Sequence, residues 1–296
     1  MVRSNDGDLY RCRLKGKFRT RHINSTNPIV VGDRVMLEKV DDVFMIKELF
    51  ERKNSIIRRS VNLAKKTHII AANIEQAILM ITLDSPVTTT GFIDRFLVAA
   101  CAYDVEVILL FNKQDIYNDS LLSRSKELQD IYKSVGYKSL SMSILQDNLD
   151  DLVAIMKGKI NMIAGHSGVG KSTLINKLQP NLDIRTKEIS AAHNQGKHTT
   201  TFSELYDLDF GGCIIDTPGI KGFGLVDMSR SEISLYFPEF IKLRSLCKFH
   251  NCLHIDEPYC AVKDMLDQKK IAQSRYDNYL DMMQEDQDSN YRFNNY

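Results

Sequence analysis

Residues 165–173, GHSGVGKST, combine residue types and spacing that could bind the phosphates of a nucleotide. They fit the pattern G-x-x-x-x-G-K-[S/T], whose glycines let backbone N–H groups face the phosphates. Lys171 would reach the β and γ phosphates, and the Ser172 hydroxyl would ligate Mg²⁺. An apolar run at 160–164 and helical spacing afterwards predict a strand and a helix around the loop. The predicted contacts are Gly165, His166, Ser167, Gly168, Val169, Gly170, Lys171, Ser172 and Thr173.

A second motif, NKQD at residues 112–115, follows the apolar run 105–111. In an N-K-x-D motif the Asp carboxylate accepts hydrogen bonds from the guanine N1–H and 2-amino groups, for which adenine offers no matching donors. Open α/β sheets bind ligands at the C-terminal ends of their strands. We therefore predict that Asn112, Lys113 and Asp115 bind guanine. The small-residue segment 139–143 is either a further base contact, through Ser141, or a plain loop.

The order of these two motifs is reversed relative to most GTPases. There the base-reading motif follows the phosphate loop, whereas here it precedes it by about fifty residues. The order predicts a circularly permuted GTPase domain.

A threonine run in GKHTTT, residues 196–201, lies where a switch threonine would ligate Mg²⁺ and sense the γ phosphate. The sequence leaves Thr199, Thr200 and Thr201 as alternatives, of which we favour Thr200.

The DTPG motif at 216–219 follows a short predicted strand. Asp216 should hold Mg²⁺ through water, and the Gly219 amide should meet the γ phosphate.

Ile220 stands where Ras-like enzymes carry the glutamine that orients the attacking water. An aliphatic side chain cannot orient water, so hydrolysis should be slow without a partner or a local polar residue. Two local candidates are His193 and His198, although the pattern favours a solvated loop residue over a catalyst for each.

Three cysteines and a histidine near the C-terminus have the spacing of a metal site, Cys247-x4-Cys252-x-His254-x5-Cys260. Three thiolates and one imidazole form the ligand set of a closed tetrahedral Zn²⁺ site. Such a site leaves no open position, so one structural zinc should fold the segment. His250 is a spare candidate, and unligated cysteines in a helical tail are the alternative.

Composition and charge constrain the class of protein. The chain has 296 residues with 43% hydrophobic and 26% charged content, which suits a multi-domain globular protein. The N-terminus shows no secretory signal pattern, and the apolar runs are too short to cross a bilayer. We therefore expect a cytoplasmic protein that does not contact membranes and acts as a monomer.

The elements that must position these motifs fall into three predicted units. Residues 1–66 alternate in short strands and predict a β-barrel of the OB type. Residues 67–224 alternate strand and helix and predict a three-layer α/β GTPase domain. Residues 225–296 predict a mostly helical zinc-binding domain, with one helix over 261–283.

The first unit is strongly basic, with 16 Lys and Arg against 8 Asp and Glu. The other residues carry 23 basic against 30 acidic side chains. Basic loops on an OB barrel would suit single-stranded or irregular nucleic acid. The alternative is that these charges simply form a solvated surface.

Taken together, these motifs and their order resemble the bacterial ribosome small-subunit-dependent GTPase A family (RsgA, also called YjeQ), over nearly the whole chain. The resemblance implies a GTPase that binds the nearly finished 30S subunit and promotes its late maturation. It implies GTP hydrolysis stimulated by the subunit, and gives the basic barrel a role on 16S rRNA. It also implies contact with other small-subunit assembly factors. Finally, it assigns residues 112–115 and 165–173 to guanine nucleotide and the Cys₃His set to zinc.

Two hypotheses of function remain from the sequence. The first is an rRNA-activated GTPase that hydrolyses GTP to GDP and phosphate as an assembly factor. The second is an RNA-binding module in which GTP gates RNA affinity and hydrolysis is incidental. Stimulation of turnover by 30S subunits separates the two.

Overall fold

The computed structural model describes residues 1–16, 18, 28–59, 67–180, 204–216 and 228–284. Among the predicted site residues, His193, His198, Thr199, Thr200, Thr201, Gly219 and Ile220 lie outside these ranges.

The N-terminal part is built from short strands, as the alternating pattern predicts. Their bounds are β1 (Val2–Arg3), β2 (Leu9–Tyr10), β3 (Cys12–Leu14), β4 (Val35–Val40), β5 (Val43–Leu49), β6 (Ser55–Arg59) and β7 (Thr67–Ala72). β1 pairs with β2, and β3, β5 and β4 form a three-stranded sheet in that order. Asp41 and Asp42 both have positive φ in the two-residue turn between β4 and β5, the conformation that tight hairpins favour. β6 and β7 pair antiparallel, so this strand pair contains residues from both sides of the predicted domain limit at residue 66.

The central part is a six-stranded sheet with the order β10-β9-β8-β11-β13-β12. The strands are β8 (Gln76–Ile81), β9 (Glu106–Phe111), β10 (Lys138–Ser141), β11 (Ile160–Ala164), β12 (Glu204–Asp207) and β13 (Cys213–Asp216). Neighbouring strands are parallel except β12, which runs antiparallel to β13. The predicted β-α-β alternation is therefore confirmed.

Eight α-helices are described, four in the central part and four after it. They are α1 (Thr90–Ala102), α2 (Asp119–Ser134), α3 (Asp150–Met156), α4 (Lys171–Leu178), α5 (Arg230–Ile233), α6 (Pro238–Arg244), α7 (Ala261–Asp267) and α8 (Gln273–Gln284). None of the helices in the described ranges is long and apolar enough to span a membrane.

Both faces of the central sheet are covered. Strand β8 is buried along its whole length. Its residues Ala77, Leu79 and Ile81 face a core shared with α1 and the C-terminal helices. Its residues Ile78 and Met80 face a second core on the α3 and α4 side. Strands buried on both faces carry continuous apolar runs, which is why the sequence predicted a three-layer arrangement correctly.

The C-terminal segment contains two helices where the sequence predicted one over 261–283, so that prediction was wrong. Helix α7 ends because Lys269 takes a left-handed conformation, with φ of 57°. The Lys269 N–H donates to Leu266 O, and the Lys270 N–H donates to Met265 O. This is the hydrogen-bond pattern of a Schellman C-cap. The usual signal for such a cap is glycine, and its absence here hid the break.

Candidate nucleotide-binding site and metal centre

The phosphate loop joins the end of β11 to the start of α4. Gly165 has φ of 139°, and a Cβ there would lie 2.7 Å from Met80 O. Gly170 has φ of 107°, and its Cβ would lie 2.7 Å from Asn112 Nδ2. Both positions therefore require glycine for conformation and for space. The loop opens onto the N-terminus of α4, where backbone N–H groups and the helix dipole favour an anion.

Lys171 lies at the first position of α4 and folds back over the loop. Its Nζ donates to Gly165 O at 2.8 Å and to His166 O at 2.5 Å. The ammonium group is therefore placed beside the loop that would hold the phosphates. Ser172 and Thr173 follow in the same turn and are partly buried, whereas Ser167 and Gly168 at the tip are exposed.

Asn112 connects the base-reading motif to the phosphate loop. Its Nδ2 donates to Val169 O at 2.8 Å, and its Oδ1 accepts from the Ile144 N–H at 3.0 Å. The side chain is buried, so both hydrogen bonds form away from water. Three segments that lie far apart in sequence are thus held together by one amide.

The rest of the motif forms a tight turn at the end of β9. Lys113 has φ of 65°, and residues Gln114–Ile116 form a single 3₁₀ turn that carries an exposed Asp115. The Lys113 Nζ donates to Ser85 O at 2.5 Å. These residues lie at the C-terminal end of a parallel strand, on the same sheet edge as the phosphate loop, which is where open α/β sheets bind ligands.

Two residues at this site escaped the motif-based prediction. The Tyr117 hydroxyl donates to Asn112 O at 2.9 Å and accepts from the Leu83 N–H at 2.6 Å. Burial raises the pKa of Tyr117. Ser143 is buried beside Ile144, and its Oγ has no hydrogen-bond partner in the described part of the chain. Ser141, the predicted base contact, is exposed at the end of β10. The small-residue segment 139–143 was a signal for Ser143, whereas nothing in the motif identified Tyr117.

His166 stacks on the first turn of α1. Its ring centroid lies 3.9 Å from that of Phe92, with an angle of 35° between the planes. Burial, and then the charge of Lys171, lower the pKa of His166. The lowered pKa favours the neutral imidazole, and the Phe92–His166 contact joins the phosphate loop to α1.

The DTPG motif is described only at its start. Asp216 is the last residue of β13, which lies parallel and adjacent to β11. Its backbone therefore ends at the same sheet edge as the phosphate loop. The predicted Mg²⁺ ligand Thr200 and the predicted Gly219 and His198 roles fall outside the described residues.

The four predicted metal ligands lie together in the C-terminal part. One ligand atom from each of Cys247, Cys252, His254 and Cys260 lies within 4.8 Å of the others. His254 Nδ1 lies 3.3 Å from Cys260 Sγ and 3.7 Å from Cys247 Sγ. Atoms bound to one Zn²⁺ at about 2.0–2.3 Å are roughly 3.3–3.8 Å apart in a tetrahedron. The donor set and its spacing therefore fit zinc.

Burial keeps the thiols protonated while no cation compensates a thiolate charge, so a metal would displace their protons on binding. Burial raises the pKa of Cys252 to about 12 and raises the pKa of Cys260. Burial lowers the pKa of His254, so its imidazole is in the neutral, ligating form. The Glu257 carboxylate accepts from the Leu253 N–H at 2.7 Å and the Ile255 N–H at 3.0 Å, which fixes the ligand loop around His254.

The fold and these loops define a class of protein, a P-loop GTPase whose base-reading strand precedes its phosphate loop in the chain. The sequence profile described as RsgA GTPase matches residues 49–226, and that of the RsgA N-terminal domain matches residues 1–43. The chain belongs to the RsgA GTPase family.

The chain is similar to its relatives over nearly its full length. The chain is 54% identical over 300 residues to the small ribosomal subunit biogenesis GTPase RsgA of Christiangramia forsetii, covering 100% of this chain and 95% of the relative. It is 48% identical over 293 residues to the protein of the same name from Bacteroides fragilis, covering 98% and 94%.

The chain is also similar to solved structures. YjeQ from Thermotoga maritima matches with a TM-score of 0.78 and 36% identity, covering 94% of this chain and 90% of that one. YloQ, titled a circularly permuted GTPase, matches with a TM-score of 0.75 and 30% identity, covering 98% and 90%. The predicted fold class and the predicted circular permutation are confirmed.

Proposed function

We propose that the chain is a GTPase that acts in biogenesis of the small ribosomal subunit and hydrolyses GTP to GDP and phosphate. The observation that supports this most is the Asn112 side chain, because it joins the base-reading motif to Val169 of the phosphate loop. The two motifs can then contact one nucleotide at one sheet edge. The names of the relatives support the ribosomal role.

In the proposed complex Asn112, Lys113 and Asp115 bind guanine, with Ser141 or the buried Ser143 beside the base. Residues 165–173 bind the phosphates, and Lys171 neutralises the β and γ oxygens. Mg²⁺ would be held by Ser172, Thr200 and Asp216, and it would offset charge that develops on the phosphates. Gly219 would meet the γ phosphate.

One structural Zn²⁺ would bind Cys247, Cys252, His254 and Cys260, where it would supply folding free energy to the C-terminal domain. We propose domain limits of 1–66, 67–224 and 225–296, with the β6–β7 pair connecting the first two.

The proposed partner is the 30S subunit, contacted through 16S rRNA by the basic N-terminal domain, with other assembly factors nearby. The proposed setting is the cytoplasm, with the chain acting as a monomer. Because Ile220 cannot orient water, we propose that the bound subunit stimulates hydrolysis by supplying or ordering a polar group, of which His198 is one candidate in this chain.

Steady-state GTP hydrolysis with and without purified 30S subunits tests the proposal. We expect 30S subunits to raise the rate by several orders, since a group supplied in trans can contribute ~10³–10⁵. Controls are 50S subunits and naked RNA, at two salt concentrations, because phosphate contacts are weakened by salt.

A Lys171→Ala variant should bind 30S subunits but lose turnover. The proposal fails if no subunit changes the rate, or if Lys171→Ala retains normal turnover. If 30S subunits change the nucleotide Kd but not the rate, GTP gates RNA binding and hydrolysis is incidental.

A further inference from the structure

A buried charge network joins helix α1 of the GTPase domain to the C-terminal helices. Arg275 on α8 donates from Nη1 to Asp94 Oδ1 at 2.5 Å. It also donates from Nε and Nη2 to the two carboxylate oxygens of Glu239 on α6, at 2.7 and 3.0 Å. The side chains of Asp94 and Arg275 are 0% and 1% exposed. One guanidinium therefore binds two carboxylates out of contact with water.

Two further donors complete the shell of Asp94. The Tyr132 hydroxyl on α2 donates to Oδ1 at 2.9 Å, and Asn278 Nδ2 on α8 donates to Oδ2 at 2.6 Å. Asp94 therefore receives hydrogen bonds from both domains. A buried ion pair with this many partners fixes relative position more than it adds stability, because desolvation offsets much of the Coulomb attraction.

The helix that carries Asp94 also contacts the phosphate loop. Phe92, two residues earlier, stacks on His166. Helix α8 approaches this same turn closely, because a Cβ on Gly91 would lie 3.4 Å from Asn278 Oδ1. The first turn of α1 is thus held between α8 on one side and the phosphate loop on the other.

Helix α8 contacts the metal-ligand loop through its other residues. The Tyr276 hydroxyl donates to His254 O at 2.7 Å, and the Tyr279 hydroxyl donates to Leu253 O. A continuous set of packed contacts therefore runs from the ligand loop, through α8 and α1, to His166.

We propose that Asp94 and Arg275 are positioning residues for the nucleotide site. They hold the first turn of α1, and through the Phe92–His166 stack they hold the phosphate loop in the conformation that binds nucleotide. The C-terminal domain then contributes to nucleotide affinity although it supplies no residue to the site described above. By linkage, nucleotide bound to the loop stabilises the docking of α8. This inference rests on the proposed binding of guanine nucleotide to residues 165–173.

The test is the Kd for a fluorescent GDP analogue, measured on full-length, zinc-loaded protein without ribosomes. Arg275→Met keeps much of the side-chain volume but removes the charge, and Asp94→Asn keeps the shape and most hydrogen bonds. We expect each to raise the Kd by ~10-fold, within the range of typical coupling between sites. Zinc content should stay at one per chain, and KM should rise with Kd while kcat changes less.

Arg52→Met is the matched control. It removes another ion pair, between Arg52 Nε and an almost fully enclosed Asp33, at 2.7 Å in the N-terminal part. The described hydrogen bonds of Arg52 go to Asp33 and Pro28 and not to α1, so its loss should leave the GDP Kd within about twofold of the parent. A similar rise of the GDP Kd in Arg52→Met would mean that general destabilisation lowers the affinity, and not a displaced α1. That result would overturn the inference.

The double variant separates a shared action from two independent ones. If the two residues act as a pair, Asp94→Asn combined with Arg275→Met should raise the Kd no further than the worse single variant. Fully additive effects would contradict the pair. Hydrogen exchange gives the reciprocal readout, since GDP should slow exchange of α8 amides in the parent but not in Asp94→Asn.

If Arg275→Met does not fold, Asp94→Asn decides the question, because Arg275 keeps its pair with Glu239 in that variant, whereas Arg275→Met leaves two buried carboxylates without a counter-charge. Folded Asp94→Asn protein that binds GDP within about twofold of the parent overturns the inference. Failure of the parent itself to bind GDP would instead overturn the proposed nucleotide site, and this inference with it.

Discussion

We propose that Asp115 decides which base the site accepts. It is exposed at the turn after β9, and its carboxylate would accept from two guanine donors. Asp115→Asn should weaken GDP binding by roughly 10–100-fold, because a hydrogen bond to a charged group contributes about 1.5–3 kcal/mol. The same change should improve binding of xanthosine diphosphate, and competition between the two nucleotides measures both effects.

Asp119→Asn is the control for that experiment. Asp119 is an exposed carboxylate in the first turn of α2, four residues from the motif. Its substitution should leave the preference for guanine over xanthine unchanged. Unchanged preference in Asp115→Asn as well would remove Asp115 from base recognition.

Tyr117 supports the base-reading turn from beneath. Its hydroxyl bonds both Asn112 O and the Leu83 N–H. Tyr117→Phe should therefore lower the free energy of unfolding by about 1–3 kcal/mol, the cost of leaving buried polar groups unpaired. Urea unfolding measures this. Tyr259→Phe, at a side chain that is 72% exposed, should change stability by less than about 0.5 kcal/mol. Equal values for the two variants would contradict the supporting role.

At the residue scale, the sequence predicted residues that belong to a motif of fixed spacing. It missed residues whose hydrogen-bond partners depend on the tertiary fold. The four metal ligands are brought together as predicted, because C-x4-C-x-H-x5-C is a local pattern. Tyr117 and Asp94 could not be predicted in the same way. Their partners are set by tertiary contacts, and Asp94 bonds a residue 181 positions away.

The phosphate loop is an element whose shape depends on space as well as on conformation. Gly170 and Gly136 have nearly equal φ values of 107° and 109°. A Cβ on Gly170 would lie 2.7 Å from Asn112 Nδ2, whereas a Cβ on Gly136 would meet nothing within 4 Å. Alanine substitutions at these two positions therefore separate the effect of backbone strain from the effect of a steric clash.

Alanine at either position should cost about 1–2 kcal/mol, since L residues are strained at positive φ. Gly170→Ala should also displace Asn112 and so weaken GDP binding by roughly 100-fold or more, a loss of about 2.7 kcal/mol. Gly136→Ala should leave GDP affinity unchanged. Thermal unfolding and the GDP Kd measure the two effects, and equal Kd values would show that the loop tolerates the collision.

At the element scale, helices and buried strands of the central sheet were predictable, because both follow from apolar periodicity. The predicted helix after residue 90 and the strand before residue 112 are confirmed as α1 and β9. The break between α7 and α8 was not predicted, because Lys269 ends α7 in a conformation that usually calls for glycine. Hydrogen bonding of the C-cap there outweighs the intrinsic preference of lysine.

At the scale of the whole molecule, the C-terminal helices pack against the face of the sheet that α1 covers. Phe237, Phe240, Tyr276 and Tyr279 share one apolar core with α1 and with alternate residues of β8. Sequence order gave no sign of this contact, because it joins distant segments through common apolar side chains. The metal-ligand loop lies against that core, since the Phe240 ring packs on His254 at 5.5 Å.

Loss of the metal should therefore destabilise more of the chain than its four ligand residues. Cys252 is buried, and Cys252→Ser should remove a thiolate that zinc requires and abolish stoichiometric metal binding. We expect Tm to fall by at least about 5 °C, since 1 kcal/mol corresponds to about 2–4 °C in a chain of this size. Exchange of amide hydrogens should accelerate first in α8, whose tyrosines bond the ligand loop.

Cys101→Ser, at an exposed thiol, is the matched control and should keep both metal and Tm. Full zinc content in Cys252→Ser would mean that another group, such as His250, completes the site, and an unchanged Tm after metal loss would mean that the apolar core alone holds the domain in place.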